Sequence, residues 1–244
     1  MNEGSRILRG NSEWGSLGMP SVLAAAHELK APLVLIRQLS YQLENDGEMS
    51  QTQSQASDRI RMTAERALRL VENITRTANL DDAMFALEPV QVAGLWHDVM
   101  DETALLTGEH QQTVRLSVPR KAVVAIGHRE LLRATLLGLY DNALAHNPHG
   151  GTIRLSAKRQ RGRVVLSIRD EGPKIDAKSY KTLEYRLGKS AQPIGARPGS
   201  SGLGLWIAGV FARAMSAELT VTRHRRGGMT FSLDLPASGQ LSLI

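Results

Sequence analysis

The chain has no cysteine, which excludes disulfides, thiolate metal sites and cysteine nucleophiles and fits a reducing compartment. Aromatic residues make up only 4%, and none interleaves with the basic clusters, so a stacking platform for single-stranded nucleic acid is missing. No run approaches the roughly 18 apolar residues needed to cross a bilayer. Residues 1–19 also lack a basic start followed by an apolar signal core. The expectation is a cytoplasmic chain with no membrane segment.

What is present supports a folded protein. With 244 residues and 42% hydrophobic content, the chain can bury a real core, most naturally in two small domains. The net charge of +6 comes largely from two runs, Lys158-Arg159-Gln160-Arg161-Gly162-Arg163 and Arg223-His224-Arg225-Arg226. Each lies between alternating strand patterns and reads as a solvated hairpin turn. The field favours an anionic nucleotide or an acidic protein partner, with no direct nucleic-acid contact.

Residues 1–19 read as a loose lead-in. A helix is expected over 20–43, where Val22, Ala26, Leu29, Leu33, Ile36, Ser40 and Leu43 recur in steps of four and three, the rhythm of a helical seam. The polar run 44–55 reads as a turn. A second helix follows, with Ile60, Ala64, Ala67, Val71, Ile74 and Ala78 in the same rhythm. A lone hairpin buries little, so two chains are expected to pair as a homodimeric four-helix bundle. From residue 88 the pattern changes to short strands at 89–92, 113–118, 122–126, 152–157, 164–168, 218–223 and 229–235, with helices at 95–106, 129–146 and 203–215. The segment 173–201 shows weak periodicity and reads as a functional loop. The expected organisation is a helical hairpin domain over 20–84, an α/β sandwich over 88–236 and a tail over 237–244.

Four stretches carry candidate chemistry. His27, in His27-Glu28-Leu29-Lys30-Ala31-Pro32-Leu33, lies one residue past a seam position, at the edge of the bundle, and Pro32 is expected to bend or loosen the helix beyond it. Asn142 offers a side-chain oxygen suited to Mg²⁺. Asp170, at a strand end, can accept a hydrogen bond from an adenine amino group, and Gly172 allows a close turn. Ser201-Gly202-Leu203-Gly204-Leu205 sets backbone N–H groups ahead of a helix, where phosphate is favoured. Singly, a flank histidine, a surface asparagine, an Asp-x-Gly turn and close-packed glycines account for these residues; in this order they converge on a nucleotide.

In these residues the chain resembles the core of bacterial sensor histidine kinases, whose ATP domain is shared in outline with gyrase-type and Hsp90-type ATPases. His27 to Leu33 looks like the phosphoacceptor box, Asp141-Asn142-Ala143 like the N box, Asp170-Glu171-Gly172 like G1, and Gly202-Leu203-Gly204-Leu205 like G2. The final strand from Gly228-Met229-Thr230-Phe231 also looks familiar. The resemblance implies that His27 takes the γ-phosphoryl group of ATP with Glu28 as general base. Asn142 would hold Mg²⁺, Asp170 would read adenine, Ser201 to Gly204 would meet the phosphates, and 173–201 would be the ATP lid. It further implies a response-regulator receiver domain as partner and, in many relatives, a membrane sensor of which such a chain is the cytoplasmic part. The chain departs from the pattern at Gly138, Ala145, Lys174 and Ser200, so a weakened or unusual ATP pocket is expected, with Lys174, Lys189 or Arg197 supplying a missing cation. Ala31 stands where many relatives carry Thr or Asn, which implies poor phosphatase activity. Two other readings are a catalytically weak dimeric scaffold and a gyrase-like ATPase without phosphotransfer.

Overall fold

The computed structural model describes residues 19–45, 50–78, 86–147, 150–189 and 203–239. The chain divides after Ala78 into two compact units.

The first unit is a hairpin of α1 (Met19–Asn45) and α2 (Gln51–Ala78). Both helices are longer than the expected 44–55 turn allows: α1 continues to Asn45 and α2 already starts at Gln51. A reciprocal cap explains the early start. The Ser50 N–H donates to Gln53 Oε1 at 2.9 Å and the Gln53 N–H donates to Ser50 Oγ at 3.4 Å, which satisfies two N–H groups at the helix start. α1 runs through Pro32 as one helix.

The apolar seam of α1 divides. Ala26 and Ser40 are buried and Leu33 is half-buried, whereas Leu29, Ile36 and Leu43 are 54%, 41% and 50% exposed. On α2 the buried stripe is Ser57, Arg61, Ala64, Leu68 and Val71, while the expected Ile60 stays 47% exposed. A helix with one neighbour can bury only one edge of its stripe, and polar residues occupy part of that edge. The Ser57 hydroxyl donates to the Ser40 carbonyl at 3.0 Å, Arg61 stacks over the Tyr41 ring, and Lys30 meets Glu72 at 3.2 Å.

The second unit is a two-layer α/β sandwich. Its elements are β1 (Glu88–Gln91), α3 (Val92–Glu109), β2 (Thr113–Ser117), β3 (Val124–Gly127), α4 (Arg129–His146), β4 (Thr152–Gln160), β5 (Arg163–Arg169), α5 (Ala177–Arg186), α6 (Leu203–Ala214), β6 (Glu218–Arg223) and β7 (Met229–Pro236). A mixed sheet runs β2-β4-β5-β7-β6, parallel at β2-β4 and antiparallel elsewhere, and β1 pairs with β3. The core lies between this sheet and the helices, with Trp96, Tyr140, Phe211 and Phe231 fully buried. Arg161 and Gly162, both at positive φ, make the two-residue β4–β5 turn that the basic run suggested.

Two sequence expectations need correction here. α3 begins at Val92 and ends at Glu109, three residues beyond the expected helix at each end. The segment 173–201 is not all loop, because it contains α5, capped by Asp176 Oδ1, which accepts from the N–H groups of Lys178 and Ser179, both at 2.9 Å. α5 also closes the open edge of the sheet: Tyr180 Oη donates to the Val221 carbonyl at 2.9 Å, and Arg223 covers the Tyr180 ring.

Candidate functional site

The site begins with strand parity. On β5, Val164, Leu166 and Ile168 point into the core, and period-two alternation carries Asp170 to the same face. A carboxylate therefore stands where the pattern would place an aliphatic side chain, and Asp170 is fully buried. Such burial is tolerated only with hydrogen bonds. Asp170 Oδ1 accepts from the N–H groups of Gly172 at 2.9 Å and Met229 at 3.1 Å, which fixes the carboxylate in one orientation.

Three glycines make this arrangement possible. A Cβ on Gly172 would lie 2.4 Å from the His146 carbonyl oxygen. Gly172 is needed because the turn packs against the last turn of α4, a reason that spacing along the sequence does not reveal. Gly227 and Gly228, at φ +105° and +77°, fold the β6–β7 turn over Asp170. A Cβ on Gly228 would fall 2.1 Å from the Asp170 carbonyl oxygen. At the edge of this turn His224 Nε2 shares a hydrogen bond with Thr230 Oγ1 at 2.7 Å. Burial, followed by the Arg169 charge, lowers the His224 pKa, while Asp170 opposes the shift.

The contact through His146 joins α4 to the turn. Asn142 lies four residues earlier on α4, about 6 Å along the helix axis. Its side-chain Nδ2 is buried and makes no hydrogen bond among the described residues. A buried amide N–H without a protein partner suits an acceptor on a bound ligand, such as a phosphate oxygen, while the amide oxygen is the atom that could face a cation. The C-terminal end of α4 is held by Asn147, whose Nδ2 donates to Gln112 Oε1 at 2.8 Å.

Beside Asp170 the surface is set by Glu171. Its carboxylate accepts from the Thr152 N–H at 2.9 Å and from Arg154 Nη2 at 2.7 Å. Those two partners, the Thr152 N–H first, hold its pKa below the ordinary carboxylate value.

α6 packs on α4 and opens with Leu203 and Gly204. Among the described residues a Cβ on Gly204 would meet nothing within 4 Å, so close packing against them does not explain this glycine. That packing occurs instead at Gly209, where a Cβ would lie 2.2 Å from Gly188 Cα, a pair the sequence reading missed. Ser201 and Gly202, with Ser200 and Arg197, lie outside the described residues. His27 and Glu28 belong to α1 in the other unit, and their side chains likewise lie outside the description.

The departures from the motif can be placed individually. Gly138 has open space where a side chain would project, with nothing among the described residues within 4 Å of a Cβ. Lys174 is exposed and its backbone is not left-handed, so lysine adopts this position without the strain that would favour glycine. Lys189 holds its ammonium over the Tyr185 ring, 5.1 Å from the centroid.

Comparison with known proteins gives this geometry a context. Residues 127–239 match the family described as histidine kinase-, DNA gyrase B-, and HSP90-like ATPase. Over 220 residues the chain is 29% identical to the probable sensor histidine kinase TcrY of Mycobacterium tuberculosis, covering 89% of this chain and 46% of that protein. Over 215 residues it is 30% identical to the sensor protein CreC of Escherichia coli, covering 88% and 44% respectively. The chain thus spans about half the length of the curated relatives it matches.

Among solved structures, full-length ShkA in complex with AMPPNP shares the fold with a TM-score of 0.65 at 22% identity, over 92% of this chain and 47% of that one. Histidine kinase AdeS of Acinetobacter baumannii gives a TM-score of 0.56 at 17% identity, over 87% and 98%. Among the described residues no helix is long and apolar enough to cross a membrane. Residues 127–239 are a histidine kinase-, DNA gyrase B- and HSP90-like ATPase domain, and over most of its length the chain is similar to part of known sensor histidine kinases.

Proposed function

We propose that the chain transfers the γ-phosphoryl group of ATP to His27 and passes it on to an aspartate of a response-regulator receiver domain. The observation that carries this reading is the buried Asp170, fixed by two backbone donors in a turn that Gly172 seats against α4. Asp170 accepts the adenine amino group, and Gly172 keeps the turn close to α4. The backbone N–H groups from Ser201, Gly202, Leu203 and Gly204 meet phosphate oxygens at the start of α6. Asn142 would hold Mg²⁺, which when bound neutralises charge on the phosphates. A bond forms between a ring nitrogen of His27 and the γ-phosphorus as the bond to the ADP oxygen breaks. Glu28 takes the imidazole proton.

The substitutions at Gly138, Ala145, Lys174 and Ser200 remove phosphate contacts that the full motif would make, so ATP binds more weakly than with that motif. Ala31 gives the chain little phosphatase activity toward its partner. The hairpin pairs with that of a second copy. Leu29, Leu35, Ile36, Leu39, Leu43 and Ile60, each between 41% and 56% exposed, supply the apolar area that a four-helix bundle buries.

Incubation with γ-labelled ATP and Mg²⁺ tests the reading. Acid-labile label is expected on the chain, absent from His27→Ala and transferable to a receiver domain. Nucleotide binding without label on the chain would favour the scaffold reading, and steady ATP hydrolysis without label would favour the gyrase-like one.

A further inference from the structure

The sheet face that turns away from the helices takes no part in the proposed reaction, and strand register sets what it displays. Arg115, Arg154 and Arg169 are successive cross-strand partners on β2, β4 and β5. Alongside them Ser117, Ser156, Ser167, Ser232 and Thr220 form a second row across all five strands. A third row holds Lys158, Val165, Asp234 and Glu218. All these side chains are exposed or half-buried, while on the central strands the alternate residues, among them Ile153, Leu155, Leu166, Ile168 and Leu233, fill the core.

Like charges directly opposite in a sheet weaken it, so folding does not account for the arginine row. Local compensation is partial. Arg154 meets Glu171 at 2.7 Å and Arg163 meets Asp234 at 2.6 Å, but Arg115 and Arg169 make no ion pair among the described residues. Spacing suggests what would complete it. Three adjacent strands set the arginines about 4.8 Å apart, roughly 10 Å from end to end. On an α-helix, carboxylates at i, i+3 and i+7 span about 10.5 Å along the axis.

We propose that this face docks an acidic α-helix of a partner protein. The helix lies across the strands, with its carboxylates on Arg115, Arg154 and Arg169 and its flank against the serine row. Other anionic partners fit less well. No aromatic side chain stands on the face, so bases have nothing to stack on, and Val165 alone gives a lipid surface no apolar foothold. Glu171, Asp234 and Glu218 also interrupt the positive field that a uniform phosphate backbone would follow.

The test uses the full chain and a fluorescein-labelled, otherwise uncharged helical peptide with Glu at i, i+3 and i+7, read by anisotropy at low salt. Binding is expected, weakened about tenfold or more by Arg115→Glu or Arg115→Ser, and unchanged by Arg161→Glu on the β4–β5 turn. A peptide with Lys in place of the Glu that faces residue 115 should regain affinity for Arg115→Glu. Absence of binding, or equal binding of a peptide with the three Glu scattered around the helix, would overturn the proposal. So would an equal loss from Arg161→Glu, or tighter Arg115-dependent binding of oligodeoxythymidine or phosphatidylserine vesicles.

Discussion

The α/β unit buries Trp96, Tyr140, Phe211 and Phe231 completely, whereas α1 leaves Leu29, Leu35, Ile36, Leu39 and Leu43 at 41–56% exposure. In the α/β unit the central strands β4, β5 and β7 turn their apolar face to the core, and even a carboxylate, Asp170, is held there by backbone donors. In the hairpin, polar side chains, Ser40, Ser57 and Arg61, share the helix–helix contact while the leucines Leu29, Leu35, Leu39 and Leu43 of α1 face outward. The contrast separates a unit whose apolar faces one chain covers from a unit whose apolar stripe one chain leaves exposed. The turn proposed to face the nucleotide belongs to the finished unit and the proposed acceptor, His27, to the open one.

The sharpest way to break the finished unit is Gly228→Val. A left-handed β-branched residue costs about 1–2 kcal/mol, and the overlap with the Asp170 carbonyl adds roughly 1–3 kcal/mol. The α/β unit should lose about 2–5 kcal/mol in urea unfolding, and a wild-type midpoint would show that the turn is not under this constraint. The open unit has its own probe in Leu39→Glu. Sedimentation should show self-association weakened by about tenfold or more, the effect of placing a charge in an apolar interface, with unfolding of the α/β unit unchanged. A monomeric wild type would remove the reason for the exposed stripe.

Gly138→Asn asks whether the nucleotide site is as complete as the fold around it. With open space at the position, the new side chain should raise Mg-ATP affinity roughly three- to tenfold in titration calorimetry, the worth of one hydrogen bond. Unchanged affinity would mean that the phosphates do not pass this part of α4. The smallest effect concerns Glu171, whose pKa is lowered by the Thr152 N–H and then Arg154. A carboxylate with a depressed pKa stabilises the fold above its unfolded-state pKa and loses that contribution as pH falls through its folded-state pKa. The stability gap between wild type and Glu171→Gln should therefore be constant near neutrality and close in acid below the ordinary carboxylate range. A gap that persists there would assign the effect to packing.

Local signals carried much of the α/β unit. Residues 129–146 read as one helix and form α4 with the same bounds, because its apolar spacing and its ends both lie within the segment. The hairpins follow from alternation and a turn that needs positive φ. α5 was missed because Leu183 is its one buried side chain. What positions it, the Asp176 cap and the Tyr180 bond to Val221, is partly a contact made across the fold. The seam of α1 was legible as a stripe, but periodicity cannot say which neighbour covers each edge. Asn142, Asp170 and Gly172 stood out in the sequence, but the packing of Gly172 on the end of α4 and the cover that Gly228 gives Asp170 depend on residues far apart in sequence.

The central claim is that ATP bound at the Asp170 turn phosphorylates His27. It is tested most directly by incubating the full chain with Mg-ATP at neutral pH and mapping the modified peptide by mass spectrometry, beside Asp170→Asn and His27→Ala. The account predicts one phosphoryl group on His27, lost on acid treatment and absent from both variants. A phosphoryl group on another residue, or undiminished labelling of His27 in Asp170→Asn, would contradict it.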